Sequence, residues 1–412
     1  MRKIAAALAA VLLVSGCTGT GTSPSQPVPA SPTGSPEVVV TAPPPTWRLA
    51  RLPELGGPTS ALWDVVSVDA THAWAVGSES YSPEKPDDTG KPLILQRDGT
   101  GWTRAALPPI AWHGGFNLVA ADSPTDVWVV GNESAPSPDD QVAHVLHYDG
   151  TAWREVPFPQ GSKGYSLITG LTVVGGHAWL VGNDQSDVLI EEWDGRSWRS
   201  HRSPAECRTG GTSFGGMPNF CNFTAIKAFG PNDIWAAGNG AWKGFKGPLL
   251  FRWNGSGWRT VQVGINNQET AFNALSGRSP GELWAVGEHG LAVRGGGKSF
   301  EVLRDAPDGP QPDVATDPAG RAWLTRTSLE PKADLVTYNE RGWVSERAPQ
   351  PPDAIGMSLN AITASPDSTT MFAVGSADLP TTPRYVRAVL LEYVAAPLPA
   401  PLPTPLPASS LL

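Results

Sequence analysis

The chain is expected to be all-β: a seven-bladed β-propeller, closed by its N-terminal strand and flanked by disordered termini. Three observations predict this. A five-residue apolar motif returns seven times, a Gly-containing turn followed by tryptophan closes most repeats, and the strand missing from the last repeat is found ahead of the first.

The motif reads AWAVG (73–77), VWVVG (127–131), AWLVG (178–182), IWAAG (234–238), LWAVG (283–287), AWLTR (322–326) and MFAVG (371–375). Six steps from Trp74 to Phe372 span 298 residues, about 50 each. Self-similarity at such a period marks a repeat architecture in which neighbouring units bury one another's apolar faces. Each copy follows an apolar run, such as FNLV (116–119) or FTAI (223–226), and precedes another, such as LIL (93–95) or VLI (188–190). A tight turn and a tryptophan come next, in RDGTGW (97–102), YDGTAW (148–153), WDGRSW (193–198), WNGSGW (253–258) and NERGW (339–343). Asp-Gly and Asn-Gly between apolar runs are hairpin signals, because the turn requires positive φ. Each repeat therefore reads as four short antiparallel strands, and the core carries almost no 3.6-residue helical period.

The seventh repeat reaches its third strand at VLLEY (389–393) and then enters proline-rich sequence without a closing strand. TWRLARLP (46–53) matches WREVPFP (153–159) of the second repeat and supplies the missing piece. The N-terminal strand should complete the last blade, which protects sheet edges and joins the two ends of the ring. Twelve of the 17 tryptophans occupy two repeat positions: Trp74, Trp128, Trp179, Trp235, Trp284 and Trp323 on the second strand, and Trp47, Trp102, Trp153, Trp198, Trp258 and Trp343 on the fourth. Large aromatics at fixed positions are expected to pack blade against blade rather than to stack on sugars. The fifth repeat has GGGKSF (295–300) in place of the turn, and the sixth has Thr325-Arg326 in place of Val-Gly. Irregular pairing is expected in both.

The flanks read as an address. Arg2 and Lys3 precede an apolar run of residues 4–14, too short for the roughly 20 residues that span a bilayer, so residues 1–16 read as a signal peptide. Val14-Ser15-Gly16-Cys17 resembles a bacterial lipobox. The resemblance implies a diacylglyceryl group on the Cys17 thiol, cleavage just before it, and anchoring to the outer face of the cytoplasmic membrane through lipid only; an ordinary secretory signal is the alternative. Residues 17–45 then form a flexible tether, residues 46–396 the propeller, and PLPAPLPTPLP (397–407) an extended proline-rich tail within 397–412. Cys207 and Cys221 are the two remaining cysteines, and an even pair in an oxidising compartment favours one local disulfide over a zinc site that lacks two further ligands. A net charge of −9 over 412 residues, with no basic run, argues against nucleic acid. The expected state is a monomer.

The Tyr-Asp-Gly-x-x-Trp spacing and the period resemble kelch repeats, with Val-Gly where kelch has a double glycine. They are also similar to the Asp-box repeats of sialidase-type and photosystem-assembly-factor propellers, although Asp98 to Trp102 and Asp149 to Trp153 are one residue shorter than an Asp-box. The resemblance covers about residues 46–394 and implies fold, since propellers host unrelated activities.

Length variation falls on one face, in SESYSPEKPDDTG (78–90), NESAPSPDDQ (132–141), GNGAWKGFKG (238–247) and SPAECRTGGTSFGGMPNFCN (203–222). Function tends to sit on variable loops over a rigid scaffold. Tyr81, Trp112, Tyr165, Phe214, Phe220, Trp242 and Phe245, with Lys243 and Lys246, are the candidate recognition surface there; packing of each under its own loop is the alternative. Asp87-Asp88 and Asp139-Asp140 are simply solvated, or bind calcium, or form a glycosidase pair. No other cofactor is expected. Asn117, Asn273 and Asn360 hold matching positions on the innermost strands, to line the channel or bond neighbouring backbone. His144 and His147 lie three apart on a strand, hence on opposite faces. No Gly-x-Ser-x-Gly, P-loop, His-Glu-x-x-His or EF-hand pattern is present.

The expected function is binding or scaffolding, with a protein or a cell-envelope glycan as partner. A carbohydrate-active hydrolase and an assembly factor for a membrane complex are the alternatives. Paired carboxylates in a central pocket would favour the hydrolase, and dispersed loop acids would favour binding.

Overall fold

The computed structural model describes residues 46–394 apart from 82–89, 100, 134–141, 160–166, 185–186, 208–219, 243–244, 266–269, 298, 304, 310–312, 328–331, 340 and 383–384. The expected signal peptide, Cys17, the tether and the proline-rich tail lie outside the described residues. Seven antiparallel sheets of four strands follow one another along the chain. Their innermost strands are Ser60–Ser67, Gly114–Ser123, Leu167–Val174, Phe220–Gly230, Phe272–Gly277, Val314–Thr316 and Gly356–Ala364, in blades 1 to 7. Each lies beside the innermost strand of the next blade, and that of blade 7 lies beside that of blade 1.

Six blades take their strands in sequence order. In blade 7 the outer strand is Thr46–Leu49, paired with Val386–Val394 so that Trp47 faces Tyr393. The expected closure of the ring by the N-terminal strand is therefore present. Seven hydrophobic clusters fill the seven interfaces between blades. The second-strand tryptophans are at most 4 % exposed, and each of the outer-strand tryptophans is buried or packed against one of these clusters. Both sets are core.

The Val-Gly pair has a steric cause. In six blades the innermost strand carries a bulge, at Trp63, Asn117, Thr169, Thr224, Asn273 and Asn360, that shifts its register against the second strand. The bulge presses a carbonyl of the inner strand onto the motif glycine. A Cβ at Gly77 would lie 1.9 Å from the Ala61 carbonyl oxygen, and one at Gly375 would lie 1.9 Å from that of Ser358. Blade 6 has Arg326 at this place; its inner strand pairs with the second strand from Val314 opposite Leu324, the Asp313 carbonyl also accepts the Thr325 N–H, and residues 310–312 lie outside the described residues. Blades 5 and 6 nevertheless complete four strands each; the irregularity is confined to short innermost strands.

The three-to-four turns close through their first side chain. Asp149, Asp194 and Asn254 each accept two backbone N–H bonds from the residues two and three ahead, with positive φ at Gly150, Gly195 and Gly255. GNGAWKGFKG, expected as a loop, is instead a hairpin extension. The strands Asp233–Trp242 and Phe245–Trp253 run through it, and Trp242 pairs with Phe245.

Cys207 and Cys221 form the disulfide, buried in the interface between blades 3 and 4. It ties the connection between these blades to the innermost strand of blade 4. Closing a loop with a sequence separation of 14 stabilises by about 3 kcal/mol through the unfolded chain. The double variant C207S/C221S should lose about that much in urea unfolding, and wild type should fall to the same value in reductant. Unchanged midpoints in both would remove the bond from the stability of the ring.

Candidate functional site

The axis of the ring encloses a cavity of about 1390 Å³. Its wall begins at the bulges and runs along the later part of each innermost strand to the first turns, where Asp122, Arg278 and Asp317 stand. The sequence placed the site on the opposite, loop-rich face. The large concavity among the described residues is axial, drawn mainly from the end with short turns.

Inner-strand edges would present bare backbone to this cavity, and the wall side chains cap them. Thr169 donates its hydroxyl to the Phe223 carbonyl, Thr224 to the Phe272 carbonyl, and Asn360 its amide to the Leu62 carbonyl at 2.7 Å. All three are bulge residues, and each reaches the residue just before the bulge of the next blade. Blades 1 and 6 bond one position later. Asp64 accepts the Val119 N–H at 2.8 Å and Asp313 accepts the Ile362 N–H at 2.8 Å. Thr172 similarly accepts from Ala228.

Asp64 and Asp313 were not singled out from the sequence. Burial pushes the Asp64 carboxyl up to about 8, against the Val119 and Val65 N–H bonds that favour its charge, and the Asp313 charge pushes it further. Burial likewise raises Asp313 to about 6, opposed by the N–H groups of Ile362 and Val314. Lys227, also on the wall, is pushed down by burial. Two carboxyls that sense each other therefore share the central cavity, with the inner strand of blade 7 between their blades.

The remaining bulge residues make no such stitch. Trp63 is 43 % exposed, lines the cavity, and has no aromatic ring against it among the described residues. Asn117 is exposed on the same wall, and the Asn273 amide nitrogen is buried without a partner. Trp63 escaped the sequence reading because it falls on neither repeating tryptophan position. Its alignment with Asn117, Asn273 and Asn360 was the available signal.

Tyr165, Phe214, Lys243 and both acidic pairs, Asp87-Asp88 and Asp139-Asp140, lie outside the described residues, as does the Trp242 side chain. Tyr81 is partly buried, its hydroxyl pKa raised by burial and by the Asp378 charge. Phe220 and Phe245 belong to blade 4, where Phe245 packs on the core. Trp112, expected to be exposed, is only 9 % so. Its ring occupies space left by Gly114 and Gly131, meets Phe116 edge-on, and stacks on His144 at 4.4 Å. His144 in turn lies 2.9 Å from Glu155 and 3.4 Å from Glu133, beside a surface pocket of about 390 Å³. His147 stacks on Trp128 and bonds Asp126 at 2.9 Å, so the two histidines have separate partners. Among the described residues no group of three or more His, Cys, Asp or Glu side chains is placed to hold a metal ion.

No protein-family model and no curated protein matches the chain. Solved structures resemble it. YCF48 bound to a D1 peptide superposes with a TM-score of 0.50 at 17 % identity, covering 86 % of this chain and 100 % of that one. YCF48 from Cyanidioschyzon merolae gives 0.51 at 16 % identity, over 84 % and 98 %. The GH74 xyloglucanase from Xanthomonas campestris gives 0.51 at 15 % identity, over 84 % of this chain and 55 % of that one. At these identities the likeness is one of fold, and the fold is a β-propeller.

Proposed function

We propose that the protein is an exported propeller, tethered by lipid on Cys17 to the outer face of the bacterial cytoplasmic membrane, that binds a protein or cell-envelope glycan without chemistry of its own. The observation that supports this most is the axial cavity. Its wall combines an exposed indole and the exposed Asn117 amide with carboxyls already engaged by backbone N–H groups, the mixture of apolar area and a few polar groups that marks a ligand site. YCF48, of similar fold, is known with a D1 peptide bound, so the scaffold suits a protein partner, and a role as an assembly factor is one form of this reading. A second reading follows from Asp64 and Asp313, an acid pair in a central pocket, which suits a glycoside hydrolase.

Immobilised full-length protein exposed to a native membrane extract should retain a reproducible species, lost when Asn117→Arg fills the cavity. Retention unchanged by that substitution would move the site off the axis. Cleavage of envelope glycan by wild type and not by Asp64→Asn would replace binding with hydrolysis. Mass spectrometry of the mature N-terminus checks the tether: an unmodified Cys17 would end that part of the reading.

A further inference from the structure

We propose that the axial cavity is a carbohydrate site, in which the exposed Trp63 indole stacks on a neutral, β-1,4-linked pyranose and the amide of Asn117 binds its hydroxyls. The inference rests on the binding reading above and names its ligand class.

Trp63 makes no stitch to the next blade. At the bulge position, Thr169, Thr224 and Asn360 spend their polar groups on the next blade's carbonyl. In blade 1 the stitch passes to Asp64, one residue on, which frees the bulge position from structural duty. The residue placed there is the largest apolar side chain available, on the cavity wall at 43 % exposure. An exposed large apolar group is the informative exception to burial. An indole offers a flat face suited to the axial C–H face of an all-equatorial pyranose, and a polar N–H at its rim.

The same stitches argue against a peptide held as an added strand. Strand addition needs a free backbone edge, and here Leu62, Phe223 and Phe272 carbonyls and Val119, Ala228 and Ile362 N–H groups are already bonded to side chains. What the wall still offers is side-chain hydrogen bonding. Asn117 is exposed on that wall. Amides that both donate and accept match hydroxyl groups, which do the same.

The test uses full-length protein in a zwitterionic detergent, with cellotetraose and chitotetraose as probes. Saturation-transfer NMR should show transfer to the pyranose C–H protons. Titration calorimetry should show at least a tenfold weaker Kd for Trp63→Ala and an intermediate value for Trp63→Phe. Because the side chain is exposed, both variants should unfold with the wild-type midpoint, which separates lost binding from lost fold. Equal affinity in Trp63→Ala, or no transfer to either tetraose, overturns the proposal. If no sugar binds but a membrane protein captured by wild type is lost with Trp63→Ala, the axial site stands with a protein ligand. If neither is seen, the binding reading fails with it.

Discussion

Glu392→Ala is expected to lower the unfolding free energy by about 3–5 kcal/mol, the range for breaking a buried charged pair from one side. Glu392 is 7 % exposed on the third strand of blade 7, at the seam where the ring closes. Its carboxylate accepts the Trp102 indole N–H at 3.1 Å, lies 3.8 Å from the Arg97 guanidinium, and faces Arg48 of the N-terminal strand at 3.4 Å. One side chain thus holds the N-terminal strand, blade 7 and blade 1. Alanine would leave the Trp102 N–H without an acceptor and Arg97, whose side chain is 10 % exposed, without its counter-charge. Glu392→Gln keeps an acceptor for Trp102 and should cost less. Arg48→Ala removes a half-exposed partner and should cost under about 1 kcal/mol. Urea unfolding of the three variants checks the order. Equal losses from Glu392→Ala and Arg48→Ala would mean the seam is held by strand pairing and not by this cluster.

The ring itself was legible because each feature that builds it repeats. The motif glycine is required wherever a bulge presses a carbonyl against it, as at Gly77 and Gly375, so it recurs at the blade period. In blade 6, where Arg326 stands at this place, the bulge position lies outside the described residues. The N-terminal strand could be assigned because an incomplete fourth strand at one end matched an orphan strand at the other. The cavity was legible only in part, since its residues break the repeat. Asp64 and Asp313 occupy the same position in blades 1 and 6, where the other blades have Leu118, Gly170, Ala225, Ala274 and Ala361. Only the closed ring brings two such distant residues to one wall. Loop length pointed to the other face, where much of the variable sequence lies outside the described residues, and it carries no signal of the axial concavity. Trp112 misled for a local reason: two glycines, Gly114 and Gly131, open the space that its ring fills.

The wild-type protein is expected to lose stability as pH rises from about 4 to about 8, and Asp64→Asn should abolish the upper part of that loss. In the unfolded chain both aspartates titrate near ~3.9. In the fold Asp64 is raised to about 8 and Asp313 to about 6. Between the two sets of values the native state binds more protons than the unfolded state, so stability falls with rising pH, by up to about 1.4 kcal/mol per unit for each group. Above about pH 8 the penalty is complete. Carboxyls lowered in the fold, such as Glu79 beside Arg104 and Asp353 beside Arg387, work on the acid side. Their contribution is present above the unfolded value and lost as pH falls below it, outside this window. From pH 6 to 8 Asp64 is the one of the cavity pair still titrating, and a few kcal/mol should disappear there in wild type but not in Asp64→Asn. At pH 5 the variant should be the less stable, by about 1–2 kcal/mol, because an amide accepts through one atom where the carboxyl now accepts N–H bonds from both Val65 and Val119. Urea unfolding at pH 5, 6, 7 and 8.5 and constant ionic strength should therefore show the gap between the two proteins closing at about pH 6 and reversing above it, with Asp64→Asn the more stable by about 2–3 kcal/mol at pH 8.5. Parallel pH profiles would show that Asp64 does not hold its proton in this range. The proton also matters to the ligand: with Asp64 neutral at pH 7, the wall beside Trp63 carries no fixed charge at that position, the electrical state that suits an uncharged sugar.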